Sequence, residues 1–554
     1  MNAIIESTLP EMHPRAVRAS LLARREIALL DVREEDPFAQ SHPLWAANLP
    51  LSRIELDAWG RIPRSDTLIV LYGDGDAADD VQQAAQRLRA LGYTQVHGLA
   101  GGLDGWRAAG GELFRDVNVP SKAFGEWVEA RRHTPSLSAP EVRSLIDARA
   151  DIVILDARRF DEYQTMSIPG AVSVPGGELV LRVRDLAPNP STRVIVNCAG
   201  RTRSIIGTQS LVNAGIPNPV AALRNGTIGW TLAGQALDRG ASRRFADEID
   251  EASHRAALDG ARSAAQRAGV AFIDAAQLAT WAADATRTTY LFDVRTPEEY
   301  AASHRRGFRS APGGQLVQET DVHAPVRGAR IVIADDDGSA ASASSAGVRA
   351  AMAASWLAQM GWSVAVLEPR DTAEGALESG PDRPPRPAPP VVGTIRPVAL
   401  ADWLAGEHGA DAQTVVLDVT TSANHVKGHI PGAWFVLRSR LREALARVPK
   451  ARRYVVTCGS ALLAPYAARD LIALLGPGAD DRVHVLEGGT AAWAAAGLPL
   501  DSGEASLASP RVDRYRRPYE GTSVEPAAMQ AYLDWEFGLV GQLERDGTHH
   551  FAPI

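Results

Sequence analysis

Short apolar runs, each closed by an aspartate, punctuate the chain at four places: ALLD ending at Asp31, VILD at Asp156, YLFD at Asp293 and VVLD at Asp418. The intervals are 125, 137 and 125 residues. A second apolar run follows each: TLIVLYGDG, RVIVNCAGR, RIVIADDDG and RYVVTCGSA. Aligning their ends puts Tyr72, Cys198, Asp335 and Cys458 in one slot, at spacings of 126, 137 and 123. Runs this short and continuous read as strands covered on both faces. Ala-rich stretches of helical character come next, and DDVQQAAQRLRALG and SIIGTQSLVNAG both stop at glycine, a favoured helix terminator. A third short run then appears, and three of the four units close on a Gly-rich turn with a tryptophan: Trp106, Trp230 and Trp493. The third unit stops at VLEPRD without one.

Strands alternating with helices predict an α/β fold, with a small parallel sheet in each unit and helices on both of its faces. A period this long describes tandem domains, beads on a chain rather than a solenoid. The units span residues 1–118, 134–240, 271–370 and 393–502, with a tail at 503–554. NVPSKAFGEWVEARR links the first two, residues 244–270 read as a connecting helix, and ESGPDRPPRPAPPVV is an extended spacer. In the tail, MQAYLDWEFGLVGQL reads as an amphipathic helix. Docking on the body is its simpler role; an interface with a second copy of the chain is the other.

Composition narrows the function. The chain has 554 residues, 45% of them apolar, and a formal net charge of -8. That balance argues against a general nucleic-acid binder. Two cysteines cannot frame a chain of this size with disulfides, so a reducing compartment is expected. The first residues lack a secretory h-region, and no apolar run is long enough to cross a membrane. These features predict a soluble, cytoplasmic protein.

Both cysteines end a predicted strand just before a predicted helix. Cys198 precedes a helix start near Thr202, where backbone amides and the helix dipole favour an anion. Gly200 is expected to let the loop curl with its amides inward. Arg201 and Arg203 add positive charge. Cys458 has the same position, but Gly459 to Leu463 carry no arginine.

LDAR with FDEY and SIPGAV at 155–172, the loop CAGRTR at 198–203, GHIPGA at 428–433 and the Gly-rich Trp turns together resemble the rhodanese (sulfurtransferase) family. The resemblance covers nearly all of the chain to about residue 500, as four tandem copies. It implies a cysteine, Cys198, that takes a sulfane sulfur from a donor such as thiosulfate or a mercapto acid. The sulfur is held as a persulfide and passed to a thiophilic acceptor, a two-step covalent mechanism without a cofactor. Ala199, Gly200, Arg201, Thr202 and Arg203 would line the donor site, and Asp156 and Arg158 would structure it. Cys198 to Arg203 has the Cys-x4-Arg spacing of rhodaneses; a Cys-dependent phosphatase or arsenate reductase would want one residue more, where Ser204 stands. Cys458 is a second candidate: it takes an uncharged donor, receives sulfur from Cys198, or is a relic. The units lacking a cysteine are expected to scaffold or recognise a partner, and a purely binding or regulatory protein is the alternative reading.

Three other patterns carry less. GDGDAA at 73–78 mimics a dinucleotide fingerprint, but the next strand ends in no acid to hold a ribose. His425 and His429 are expected at the surface of a loop rather than on zinc, and the His549–His550 pair could bind metal only adventitiously. Asp335 to Asp337 read as a solvated acidic loop, one that would repel an anionic donor. No metal, nucleic acid or membrane partner is expected; the partners are a small-molecule sulfur donor and a thiol or other thiophilic acceptor.

Overall fold

The computed structural model describes residues 9–74, 78–337, 346–368, 377–406, 414–521 and 523–554. Each of the four units builds a sheet of the same order. In the second unit it runs Ser136–Leu137, Val220–Leu223, Arg193–Asn197, Ile152–Asp156 and Val172–Ser173, all parallel. The third unit repeats it with Ala271–Ile273, Ser363–Leu367, Arg330–Ala334, Thr289–Asp293 and Arg309–Ser310, and the fourth with Gly393–Ile395, Val483–Leu486, Arg453–Thr457, Thr414–Asp418 and Trp434–Phe435. In the first unit, Val326–Arg327 from the third adds an antiparallel strand to the edge of Ile27–Asp31. The cysteine loops leave the carboxyl ends of central strands, where open α/β sheets bind ligands.

Strand register corrects one alignment. Asp156 pairs with Asn197, Asp293 with Ala334 and Asp418 with Thr457, so the slot residue is always one beyond the pair. In the first unit Asp31 pairs with Tyr72. The residue in the cysteine slot is therefore Gly73, and Tyr72 is a core residue. The aspartates do one job throughout. Asp31, Asp156 and Asp293 each hold the arginine two residues on, and that arginine also donates to a carbonyl eight residues further along. The fourth unit has no such arginine, and His425 Nδ1 meets Asp418 at 2.9 Å instead.

The units are not beads on a chain. One continuous apolar core joins the first three with part of the tail, while the fourth builds separate cores, one of which takes in Leu56 of the first unit. The reason is helix burial on more than one side: Val348–Gln359 is buried along nearly its whole length. NVPSKAFGEWVEARR is likewise no linker but a buried helix, Val119–Arg132. The connecting helix is Glu251–Arg267. Units pair as second with third, where an added Cβ on Gly177 would lie 3.0 Å from Gly314 N, and first with fourth, where Arg438 bonds Glu55 and the Ser52 carbonyl. The tail helix, Pro526–Asp546, buries Met529, Tyr532, Leu533, Glu536, Leu539 and Leu543 within the same chain. Among the described residues no helix is long and apolar enough to cross a membrane.

Candidate functional site

Cys198 follows the strand Arg193–Asn197, and its helix begins at Thr202. The frame behind the thiol is tight. Thr227 N donates to the Cys198 carbonyl at 2.9 Å and Ile228 N to that of Ala199 at 3.0 Å. An added Cβ on Gly226, at φ +53°, would lie 2.2 Å from the Cys198 oxygen, so only glycine fits there. Trp230 beneath donates its Nε1 to the Ala236 carbonyl, as Trp106 and Trp493 do six residues on in their units. Asp156 is fully engaged, accepting from Arg158 N, Nε and Nη2 and, at 2.9 Å, from Asn197.

The thiol itself is 1% exposed and donates to Ser204 Oγ at 3.4 Å, which in turn donates to the Arg201 carbonyl. Burial pushes the Cys198 thiol up, while Arg203 and Ser204 pull it down and Glu536 adds to the rise. The arginines differ from the expectation that both face a donor. Arg201 turns away to a bidentate bond with Glu126 (2.7 and 2.8 Å), a contact with Glu129 and the face of Phe537. A buried guanidinium needs a carboxylate, and the helix Val119–Arg132 provides it. Arg203 is bidentate to Glu162 at 2.7 and 2.9 Å. Burial would raise Glu162, but Arg203, Arg158 and Arg159 outweigh it and hold that carboxyl at about 2. Of the two arginines, only Arg203 pulls the thiol down.

Sequence reasoning missed Glu536. This residue of the tail helix lies over the loop: a Cβ on Gly200 would meet Glu536 Oε2 and Tyr532 Cε1, each at 3.2 Å. Gly200 thus serves a close approach, since its φ is not left-handed. Tyr532 donates to Glu536 Oε1 at 2.9 Å, and Thr202 Oγ1 stands at 3.5 Å from the same atom. Burial and nearby Glu126 push the carboxyl up to about 8. The amphipathic pattern announced a docking helix, but nothing in the sequence says which loop it covers.

Cys458 repeats the frame. Thr490 N donates to its carbonyl at 2.9 Å, and a Cβ on Gly489 would lie 2.1 Å from that oxygen. Its helix begins only at Ala464, with Ala461 left-handed at φ 60°. In the third unit the slot is filled: Asp335 is buried, and its carboxylate accepts from Gly347 N (2.6 Å), Arg349 N (3.1 Å) and Ala350 N (3.2 Å) at the start of the helix Val348–Gln359. Asp336 is buried against Arg305. These acids are not a solvated loop, because the helix amides hold the first and a guanidinium holds the second. His425 and His429 are also buried rather than at the surface; they stack at 4.0 Å on and just beyond the short helix Ser422–Lys427. His549 packs on Trp127. Residues 75–77 of the dinucleotide-like string lie outside the described residues. Among the described residues no group of three or more His, Cys, Asp or Glu side chains could hold a metal ion.

Four sheets of one topology, each with a slot at the carboxyl end of its central strand, define a tandem array of rhodanese-type units. The rhodanese-like domain family model matches residues 16–109, 138–233 and 400–496, and the chain belongs to that family. The third unit, outside those matches, shares the fold. The chain is similar over 99% of its length, at 63% identity and a TM-score of 0.92, to the whole of a solved thiosulfate sulfurtransferase from Pseudomonas aeruginosa. From Bacillus subtilis (strain 168), YrkF is 28% identical over 159 residues, which are 26% of this chain and 83% of that protein. YqhL, from the same organism, is 37% identical over 82 residues, 15% of this chain and 62% of that protein.

Proposed function

We propose that the protein is a rhodanese-type sulfurtransferase that moves a sulfane sulfur from thiosulfate or a related donor, through a persulfide on Cys198, to a thiophilic acceptor. The observation that carries this reading is the likeness, along both whole chains, to a thiosulfate sulfurtransferase, combined with a free thiol at the helix start beside Arg203. In the first half-reaction the Cys198 thiolate attacks the outer sulfur of thiosulfate, and sulfite leaves with the electrons of the broken S–S bond. The loop amides and Arg203 stabilise the anionic persulfide. In the second, the acceptor attacks that sulfur and the thiolate returns. Asp156 and Arg158 brace the strand ends. The buried position of the thiol keeps the persulfide from water and from stray thiols. Two free cysteines suit a reducing compartment, so we place the protein in the cytoplasm, in sulfur metabolism.

The test is intact mass after incubation with thiosulfate, in a Cys458→Ser background. A gain of one sulfur, about 32 Da, that disappears with Cys198→Ser is the expected result, since persulfide chemistry requires the thiolate. A folded protein that gains no sulfur would overturn the reading.

A further inference from the structure

Among the described residues, the ion pairs around the Cys198 loop leave a buried acid without a counter-ion. Arg201 is held by Glu126 and Glu129, Arg203 by Glu162, and Lys122 by Asp116 at 2.7 Å. Lys122 also lies against the rings of Tyr519, Tyr532 and Trp535. Three cations here already answer to four carboxylates. Glu536, 1% exposed, would be a fifth negative charge with no cation to spare for it. Lys122 and Arg201 draw its carboxyl down, but burial and Glu126 outweigh them. An acid so placed keeps its proton near neutrality.

The hydrogen bonds say where that proton sits. The Tyr532 hydroxyl donates to Glu536 Oε1 at 2.9 Å, and Thr202 Oγ1 approaches the same oxygen at 3.5 Å. Oε1 is therefore the carbonyl oxygen of the neutral acid, and Oε2 carries the hydrogen. Oε2 is buried and has no hydrogen-bond partner among the described residues. It points at the loop, 3.2 Å from where a Cβ would stand on Gly200, two residues after the thiol. A charge on this carboxyl is felt at Cys198. A buried O–H without an acceptor is costly. One held ready at a reactive loop suits an acceptor that arrives only during the reaction.

Resting on the sulfurtransferase reading, we propose that Glu536 is a further catalytic residue: as a neutral acid it donates its Oε2–H to the outer sulfur of the Cys198 persulfide and so stabilises the loaded protein. No proton changes hands; the hydrogen stays on the carboxyl and the negative charge on the sulfur. The tail helix thereby completes, from outside the second unit, a site whose own loop supplies backbone amides and Arg203. A carboxylate in the same place would repel the persulfide, so the contact depends on pH. It holds while Glu536 is protonated and gives way to repulsion as pH rises past about 8. The other titratable groups facing this carboxyl are Glu126 and Lys122 of the helix Val119–Arg132, Arg201 and Cys198 of the loop, and Tyr532 of its own helix. Glu536→Gln removes its titration and leaves theirs in place.

The experiment uses the full-length protein in a Cys458→Ser background, loaded with thiosulfate and then freed of excess reagent. Intact mass follows the lifetime of the persulfide below and above the Glu536 value, and melting temperature is read alongside. Glu536→Gln keeps an N–H donor and cannot ionise. Its persulfide should match the parent's at the lower pH and outlast it at the higher. Glu536→Leu loses the donor, and its persulfide should decay about tenfold faster than the parent's at the lower pH, because a hydrogen bond to a charged group is lost. A Glu536 that only packs the tail would move the melting temperature and leave both lifetimes unchanged; that result overturns the proposal while the sulfurtransferase reading stands. If Glu536→Leu does not fold, the comparison of parent with Glu536→Gln decides alone, and equal lifetimes at the higher pH overturn the proposal. A folded parent that takes up no sulfur overturns both.

Discussion

The second and third units set the same loop on the same sheet and fill it differently. At Cys198 the helix start faces a thiol; at Asp335 it faces a carboxylate that takes three backbone N–H donors itself. The comparison teaches what the slot is for. It is a strand end set against a helix amino terminus, an arrangement that favours an anion. In the third unit the protein's own side chain occupies the site. The first unit leaves the slot to Gly73. Two of the four slots thus cannot carry sulfur, and their units instead supply walls: the third to the second, the first to the fourth.

The largest expected effect is loss of both thiols. Cys198→Ser/Cys458→Ser should show no thiosulfate-dependent sulfite release above background, measured at a temperature where the variant remains folded. Next comes Arg203→Ala in a Cys458→Ser background. Removing the cation that favours the thiolate should slow loading of Cys198 by about 10- to 100-fold; an unchanged rate would leave Arg203 as only a partner of Glu162. Asp335→Ala leaves three amides at a buried helix start without their acceptor. It should lower stability by about 2–3 kcal/mol in chemical denaturation, while sulfur loading at Cys198 persists.

The smallest effect is a pH dependence. The Glu536 carboxyl is raised to about 8 by burial and Glu126. The folded state thus holds this proton more tightly than the unfolded state does. Its contribution to stability is fully present below the ordinary carboxyl value and is lost as pH rises through about 8. Glu536→Gln should therefore flatten the fall in melting temperature between pH 5 and 9. Because this carboxylate also opposes the Cys198 thiolate, the pH profile of loading should move to lower pH. A profile that does not move would mean that Glu536 only packs the tail against the loop.

Much of this was legible in the sequence. The aspartate-ended runs fixed the four sheets, since strand ends and helix starts depend on local pattern. Cys198 stood out because its loop carries its own charge. What escaped was long-range. Tyr72 and Gly73 were misassigned by one residue, which strand pairing settles and a list of run ends does not. The acids after Ile333 looked solvated because their donors, the helix amides and Arg305, lie elsewhere in the sequence. Glu536 reaches the Cys198 loop from the tail, so no window around that thiol contains it. Even the arginines of CAGRTR were only half readable, because Glu126, which turns Arg201 away, belongs to a helix that read as a linker.

The most direct test of the account is the sulfite burst on rapid mixing of Cys458→Ser protein with excess thiosulfate. One equivalent of sulfite per chain, released as Cys198 takes up sulfur and absent when Cys198 is also serine, is the predicted result. A folded protein with a titratable Cys198 thiol and no burst would contradict it.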